Sequence, residues 1–161
     1  MSNIIITHLW FNNQAEEAAR FYISVFPNSK INRITRYGNK MVGNLEGEVM
    51  TVEFELDGRK FVAFNGGPKY KFTEAISLIV NCETQEEIDY YWEKLSEGGD
   101  ESAQAIGWLK DKFGVSWQVI PTTLTDMMSD KDSSKVERVL KELRLMKTKL
   151  DLNKLQKAYD G

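Results

Sequence analysis

Glu16-Glu17, Phe21-Tyr22 and Val25 return seventy positions later as Glu86-Glu87, Tyr91-Trp92 and Leu95. A period that long indicates duplication of a folding module, whereas solenoid repeats run at roughly 20–50 residues. Whatever fold the chain adopts must therefore accommodate two related halves. Each copy sits in the same order of expected elements. In the first, the β-branched and aromatic run 4–11 predicts a buried strand, which Asn12-Asn13 ends. Ala15, Ala18, Ala19, Tyr22 and Phe26 then fall at helical spacing over 14–26, and Pro27-Asn28 stops the helix. Residues 30–37 and 49–56 alternate as strands, and Asp57-Gly58 turns the second of these into 59–64 as a hairpin.

The second half restarts with an expected strand at 75–80 and a helix at 84–95, where Thr84 and Glu87 have capping-box spacing and Gly98-Gly99 ends the helix. A hairpin of 108–112 and 115–120 follows about Phe113-Gly114, and Pro121 blocks its extension. The expected fold is thus α+β, with two βαβββ modules and a C-terminal helical tail. Module one covers 1–68, module two 69–121 and the tail 122–161, all within one domain. In the tail, Val136, Val139, Leu140, Leu143 and Met146 form one apolar stripe, and Leu152, Leu155 and Tyr159 a shorter one. Such stripes must be covered, either by the chain's own sheets or by a second subunit.

Composition excludes several classes of function. The 21 basic and 24 acidic residues are interspersed, so no electrostatic stripe awaits nucleic acid or an anionic membrane. No apolar run approaches the roughly 20 residues that span a bilayer. The single cysteine, Cys82, makes an internal disulfide impossible, and no leader-like segment opens the chain, so a reducing cytoplasm is the expected location.

Three stretches carry a family resemblance: Leu9-Trp10-Phe11-Asn12 with Ala15-Glu16-Glu17-Ala18-Ala19-Arg20-Phe21-Tyr22; Phe64-Asn65-Gly66-Gly67-Pro68 with Phe72; and the run from Gly107-Trp108 through Phe113-Gly114 to Trp117-Gln118. They resemble the demethylubiquinone methyltransferase-like, phosphonate-operon-B-like branch of the vicinal oxygen chelate superfamily, which includes glyoxalases, bleomycin-resistance proteins and dioxygenases. The likeness extends to Leu145-Met146-Lys147 and Ala158-Tyr159-Asp160-Gly161. It implies curved mixed sheets enclosing a cavity, and a homodimer. The methyltransferase name does not carry over as chemistry, because S-adenosylmethionine is normally held by a Gly-rich loop between a buried strand and a helix. Gly43, Gly47, Gly66-Gly67 and Gly98-Gly99 are all spaced as turns instead.

Enzymes of that superfamily place His, Glu or Gln on the first and last strands of each module to hold a divalent metal. By the resemblance those positions fall near Ile6, at Ala75 or Ile76, at Val62 or Ala63, and at Gln118, of which only Gln118 offers an oxygen donor. One histidine in the chain excludes a two-histidine iron site. No metal and no cofactor are therefore expected.

His8 shares the strand face of Ile6, either as a general base or ligand anchor, or as a structural histidine bonded to a backbone carbonyl. Trp10 and Trp117 are pocket walls or packed sheet residues, and Gln118 is a ligand contact or a sheet amide. Glu53 and Glu55 are an acid–base pair or a solvated strand face. Cys82, before the helix cap, is an activated nucleophile or an inert packing residue. Asn65-Gly66-Gly67-Pro68 is a cavity lip or a module linker. The expected function is binding of, or chemistry on, a small molecule held near His8, Trp10, Phe64 and Gln118 without the usual metal. One alternative is a metal-dependent lyase or isomerase using Gln118, His8 and Glu53. The other is a non-catalytic dimeric module that sequesters its ligand.

Overall fold

A computed structural model describes residues 5–38 and 45–161. Ile4, with which the expected first strand begins, and Gly43 lie outside the described residues. The chain divides into two compact units, 1–72 and 73–161.

In the first unit the elements run β1 (Thr7–Phe11), α1 (Ala15–Val25), β2 (Lys30–Arg36), β3 (Val49–Leu56) and β4 (Arg59–Asn65). The expected βαβββ order is present. Its open sheet has strand order β1-β4-β3-β2, with β1 parallel to β4 and the other pairs antiparallel. Alternation decides which side chains meet the helix. Leu9, Phe11, Val52, Phe54, Leu56, Phe61 and Ala63 are buried, as are Ala15, Ala18, Ala19, Tyr22 and Val25 of α1. The intervening residues His8, Trp10, Thr51, Glu53, Val62 and Phe64 lie on the outer face, away from α1. At the β3–β4 turn both Asp57 (φ 45°) and Gly58 (φ 74°) are left-handed, as a two-residue hairpin requires.

Gln14 supplies no side-chain cap to α1. The cap comes from Asn65 at the end of β4, whose Oδ1 accepts the Ala15 N–H at 2.8 Å while its Nδ2 donates to the Val49 carbonyl. Asn65 therefore fastens strand and helix together.

The second unit runs β5 (Leu78–Cys82), α2 (Gln85–Ser96), β6 (Trp108–Lys110) and β7 (Ser116–Pro121), then α3 (Thr123–Met128), α4 (Ser133–Leu145) and α5 (Leu152–Asp160). Its open sheet has three strands, ordered β5-β7-β6, with β5 parallel to β7. Where the first unit has β2, this unit has one 3₁₀ turn at Glu101–Ala103 and a tight Ala105–Trp108 bridge, so the second copy is one strand shorter than its duplicate. β5 also begins at Leu78, three residues later than the expected 75, and leaves Ala75 and Ile76 outside the strand. Thr84 caps α2 by accepting the Glu87 N–H, and Glu87 accepts the Glu83 N–H in return, which is the expected capping box displaced by one amide.

The tail covers its stripe within its own unit. Met127, Val139, Leu143, Met146, Leu150 and Leu155 form one buried cluster with Ile120, Leu124 and Tyr159 against it. The segment between α4 and α5 is tied to the rest of the unit by backbone and side-chain bonds: Ile106 N–H to Met146 O, Gly107 N–H to Thr148 O, Gln85 Nε2 to Leu150 O and Leu152 N–H to Gln85 Oε1.

Candidate functional site

Three of the four candidate residues meet on the outer face of the first unit's sheet. β1 and β4 are paired in parallel register with His8 beside Val62 and Trp10 beside Phe64. The His8 imidazole lies 5.7 Å from the Phe64 ring, centroid to centroid, and the Trp10 indole 5.0 Å from it, edge to face. Tyr70, which the sequence reading did not single out, stands at 5.0 Å on the same indole, again near perpendicular. No strand alternation could have found it, because it lies in the irregular segment after β4. The indole is immobilised from two sides. Its N–H donates to the Gly67 carbonyl at 2.9 Å, and Gly66 passes so close that a Cβ there would lie 2.2 Å from a ring carbon. Of the two readings of Asn65-Gly66-Gly67-Pro68, then, the segment serves at least as the seat of Trp10.

His8 is exposed and has no hydrogen-bond partner among the described residues. Among the described residues the backbone-bonded structural histidine is not what the structure shows, because strand alternation turns the ring to the outer face, where none of their carbonyls meets it. Glu53 lies in the same row, next but one to His8 across Val62, and sits 3.8 Å from Arg33; Glu55 similarly lies 3.8 Å from Lys30. Both carboxylates are thus paired with basic residues of β2, which is the solvated-face reading of that strand.

Gln118 belongs to the second unit, half-buried on β7 beside Ile79 and Trp108, and its Nε2 donates to Ser77 Oγ at 2.8 Å. Trp117 points the other way. It is buried, and its indole N–H donates to Asp111 Oδ2, so it is a packing residue and not a pocket wall. Cys82 is fully buried, and burial pushes its thiol up to about 11, with the Glu87 carboxylate adding to the shift. A thiol so shifted is protonated at neutral pH, which removes the nucleophile reading.

A cleft of about 500 Å³ opens elsewhere in the second unit, lined by α2 residues Gln85 and Asp89 and by the segment joining α4 and α5. Lys149 binds Asp89 there at 2.6 Å and holds its carboxyl below the usual range. The cleft's three lysines, Lys147, Lys149 and Lys154, face three acids, Asp89, Glu142 and Asp151, and none of the four candidate residues lines it.

A family model described as 3-demethylubiquinone-9 3-methyltransferase matches residues 3–120. A putative 3-demethylubiquinone-9 3-methyltransferase, PhnB protein, from Bacillus cereus is 39% identical over 74% of this chain and 100% of that one, with a TM-score of 0.65. The chain belongs to the 3-demethylubiquinone-9 3-methyltransferase family. Through it the chain joins the vicinal oxygen chelate superfamily that its motifs resemble. Two more distant structures share the fold alone: protein PA1353 from Pseudomonas aeruginosa (19% identity, 74% and 98% of the two chains, TM-score 0.62) and the fosfomycin resistance protein FosX from Mesorhizobium loti (13%, 81% and 99%, TM-score 0.57). No curated protein matches the chain. The family model ends at residue 120, so α3 to α5 lie outside it.

Within this 3-demethylubiquinone-9 3-methyltransferase family member, the strand-to-helix connections of the described residues, where a methyl donor would be cradled, are Asn12-Asn13-Gln14, Glu83-Thr84 and Thr122, all without glycine. The superfamily's metal is tested by strand register. Counted from the last residues of β1 and β5, Phe11 and Cys82, equivalent positions are His8 with Val62 in the first unit and Ile79 with Gln118 in the second. Register thus moves the first-strand positions from Ile6 to His8 and from Ala75 or Ile76 to Ile79. One imidazole, one amide and two aliphatic side chains do not make a divalent-metal donor set. Among the described residues no three His, Cys, Asp or Glu side chains gather as one. Nor is any described helix long and apolar enough to cross a membrane.

Proposed function

We propose that this protein binds a small molecule, without the divalent metal usual in its superfamily, against the outer face of the first unit's sheet. His8, Trp10 and Phe64 are its contacts there, and Gln118 is the contact offered by the second unit's own sheet face. The observation that carries this reading is an exposed imidazole with no hydrogen-bond partner among the described residues, set beside a row of rings held in fixed orientation. Ordinary sheet faces of that kind are solvated by charged residues, and protein groups left without partners are what ligands satisfy. The proposal includes the whole chain acting as one domain, in a cytoplasmic homodimer. Large apolar side chains exposed on the second unit, Ile76, Ile79 and Leu145 among them, support a further covering surface.

The test is expression in medium containing mixed divalent ions, followed by metal analysis and native mass spectrometry of wild type, His8→Ala and Gln118→Ala. A metal-free protein that carries a small molecule, and loses it in His8→Ala, is the expected result. Stoichiometric metal that disappears in both variants overturns the proposal in favour of a metal-dependent lyase or isomerase. A ligand retained unchanged over time assigns sequestration without chemistry.

A further inference from the structure

We infer that the cleft of the second unit is a separate binding site, independent of the face proposed above, and that it takes a short peptide of two or three residues with free termini. Its walls are α2, the end of α4, the connector to α5 and the first turn of α5. Apart from Gln85 and Asp89, every residue that lines it lies beyond the stretch 3–120 matched by the family model. The walls are held in place. Gln85 donates from Nε2 to Asp89 Oδ1 and to the Leu150 carbonyl, while its Oε1 accepts the Leu152 N–H. The amides of Ile106 and Gly107 fix the connector at Met146 and Thr148. At about 500 Å³ the cleft falls within the range of pockets that hold small ligands, roughly 300–1,000 Å³.

Its charges decide what fits. Lys149 is bound to Asp89 at 2.6 Å and Lys154 to Asp151 at 3.7 Å, and Asp151 also caps α5. Two opposite charges are then left, Glu142 and Lys147, with no ion pair or hydrogen bond among the described residues. Arg138, one turn before Glu142, is committed instead to the Ala158 and Tyr159 carbonyls. The lining is thus neutral in sum, with one free carboxylate and one free ammonium. A lone anion or cation would meet one of these and be repelled by the other, whereas a zwitterion meets both.

Spacing and lining favour a peptide over a free amino acid. From Glu142 the chain runs to the end of α4 at Leu145 and then on to Lys147, which keeps their backbones within roughly 12 Å of each other. The ends of an extended di- or tripeptide lie roughly 7–10 Å apart. Leu145, between the two in sequence, is 66% exposed and offers apolar surface to a ligand side chain. Thr148 and Asn153 also line the cleft, and their side chains have no hydrogen-bond partner among the described residues. A hydroxyl and an amide match the N–H and C=O of a peptide bond, which a free amino acid lacks.

Calorimetric titration at low ionic strength with glycyl-leucyl-glycine, its N-acetylated and C-amidated forms, and free leucine tests the inference. Expected is saturable binding of the free tripeptide, with each of the other three at least tenfold weaker. Glu142→Gln should lose tenfold or more for the free tripeptide and less than twofold for the acetylated form. Lys147→Met should do the same with the amidated form. His8→Ala should leave every affinity unchanged. No binding of the free tripeptide, or a capped form or leucine binding as tightly, overturns the inference. Loss of tripeptide binding in His8→Ala places the peptide on the first unit's face and overturns the separate site.

Discussion

The indole N–H of Trp117 donates to Oδ2 of Asp111 at 2.7 Å, with both side chains 3% exposed. The other carboxylate oxygen accepts the amides of Phe113 and Val115 and so shapes the Phe113-Gly114 turn between β6 and β7. A buried carboxylate is tolerated when its lone pairs are met by donors, as they are here.

Removing that acid strands three buried donors. Asp111→Ala should therefore cost about 2–4 kcal/mol, seen as a Tm lower by roughly 6–12 °C for a chain this size. Thermal unfolding followed by near-UV circular dichroism checks this, since the Trp117 band should weaken together with stability.

Ile106 holds φ at +51° and Gly107 at +80°, a left-handed pair closing the two-residue turn between Ala105 and Trp108. Glycine suits the second position, where a Cβ would approach the Val119 carbonyl to 2.9 Å, but a β-branched residue at the first is strained. Ile106→Asn should stabilise the protein by about 1 kcal/mol, raising Tm by roughly 2–4 °C. An unchanged or lower Tm would show that Ile106 contributes packing that offsets its backbone strain.

Gly66→Ala drives a methyl group into the Trp10 ring. The indole must rotate away from the Gly67 carbonyl, at a cost of about 1–3 kcal/mol. Tryptophan emission should shift to the red, and any ligand affinity that depends on Trp10 should fall with it. His8→Ala, by contrast, should leave Tm unchanged, as exposed sites without hydrogen-bond partners usually fall within about 0.5 kcal/mol of wild type.

The Cys82 thiol is raised from its ordinary value of 9.0 to about 11 by burial. The sign follows from proton linkage: the unfolded chain releases this proton at lower pH than the folded one. Stability associated with the protonated thiol is complete below about pH 9 and is lost as pH rises through about 11. Urea midpoints measured across that range should fall more steeply in wild type than in Cys82→Ala. A thiol reagent at pH 8 should label Cys82 only after denaturant is added.

Much of the first unit was legible because its signals are local. Asp57-Gly58 announces a left-handed turn, and alternation in Val49–Leu56 assigns inside and outside. The equivalent turn at Ile106-Gly107 was illegible, since isoleucine does not signal positive φ; only the tail's carbonyls, with Met146 and Thr148 accepting its amides, show how the turn is held. For the same reason the missing fourth strand of the second unit could not be read from the duplication. His8 was found by strand alternation, whereas Tyr70 and Asp111 owe their roles to contacts outside any period.

Asn65 carries one more consequence, for the route by which the first unit assembles. The first amide of α1 finds its acceptor fifty residues downstream, so the helix cannot complete its start until β4 has come to lie beside β1. The cap of α1 is thus a distant contact, of the kind that slows folding relative to a chain whose helices close locally. Asn65→Ala should accordingly report on the folding rate as well as on the stability of the finished unit, and a chevron plot would show which limb it moves.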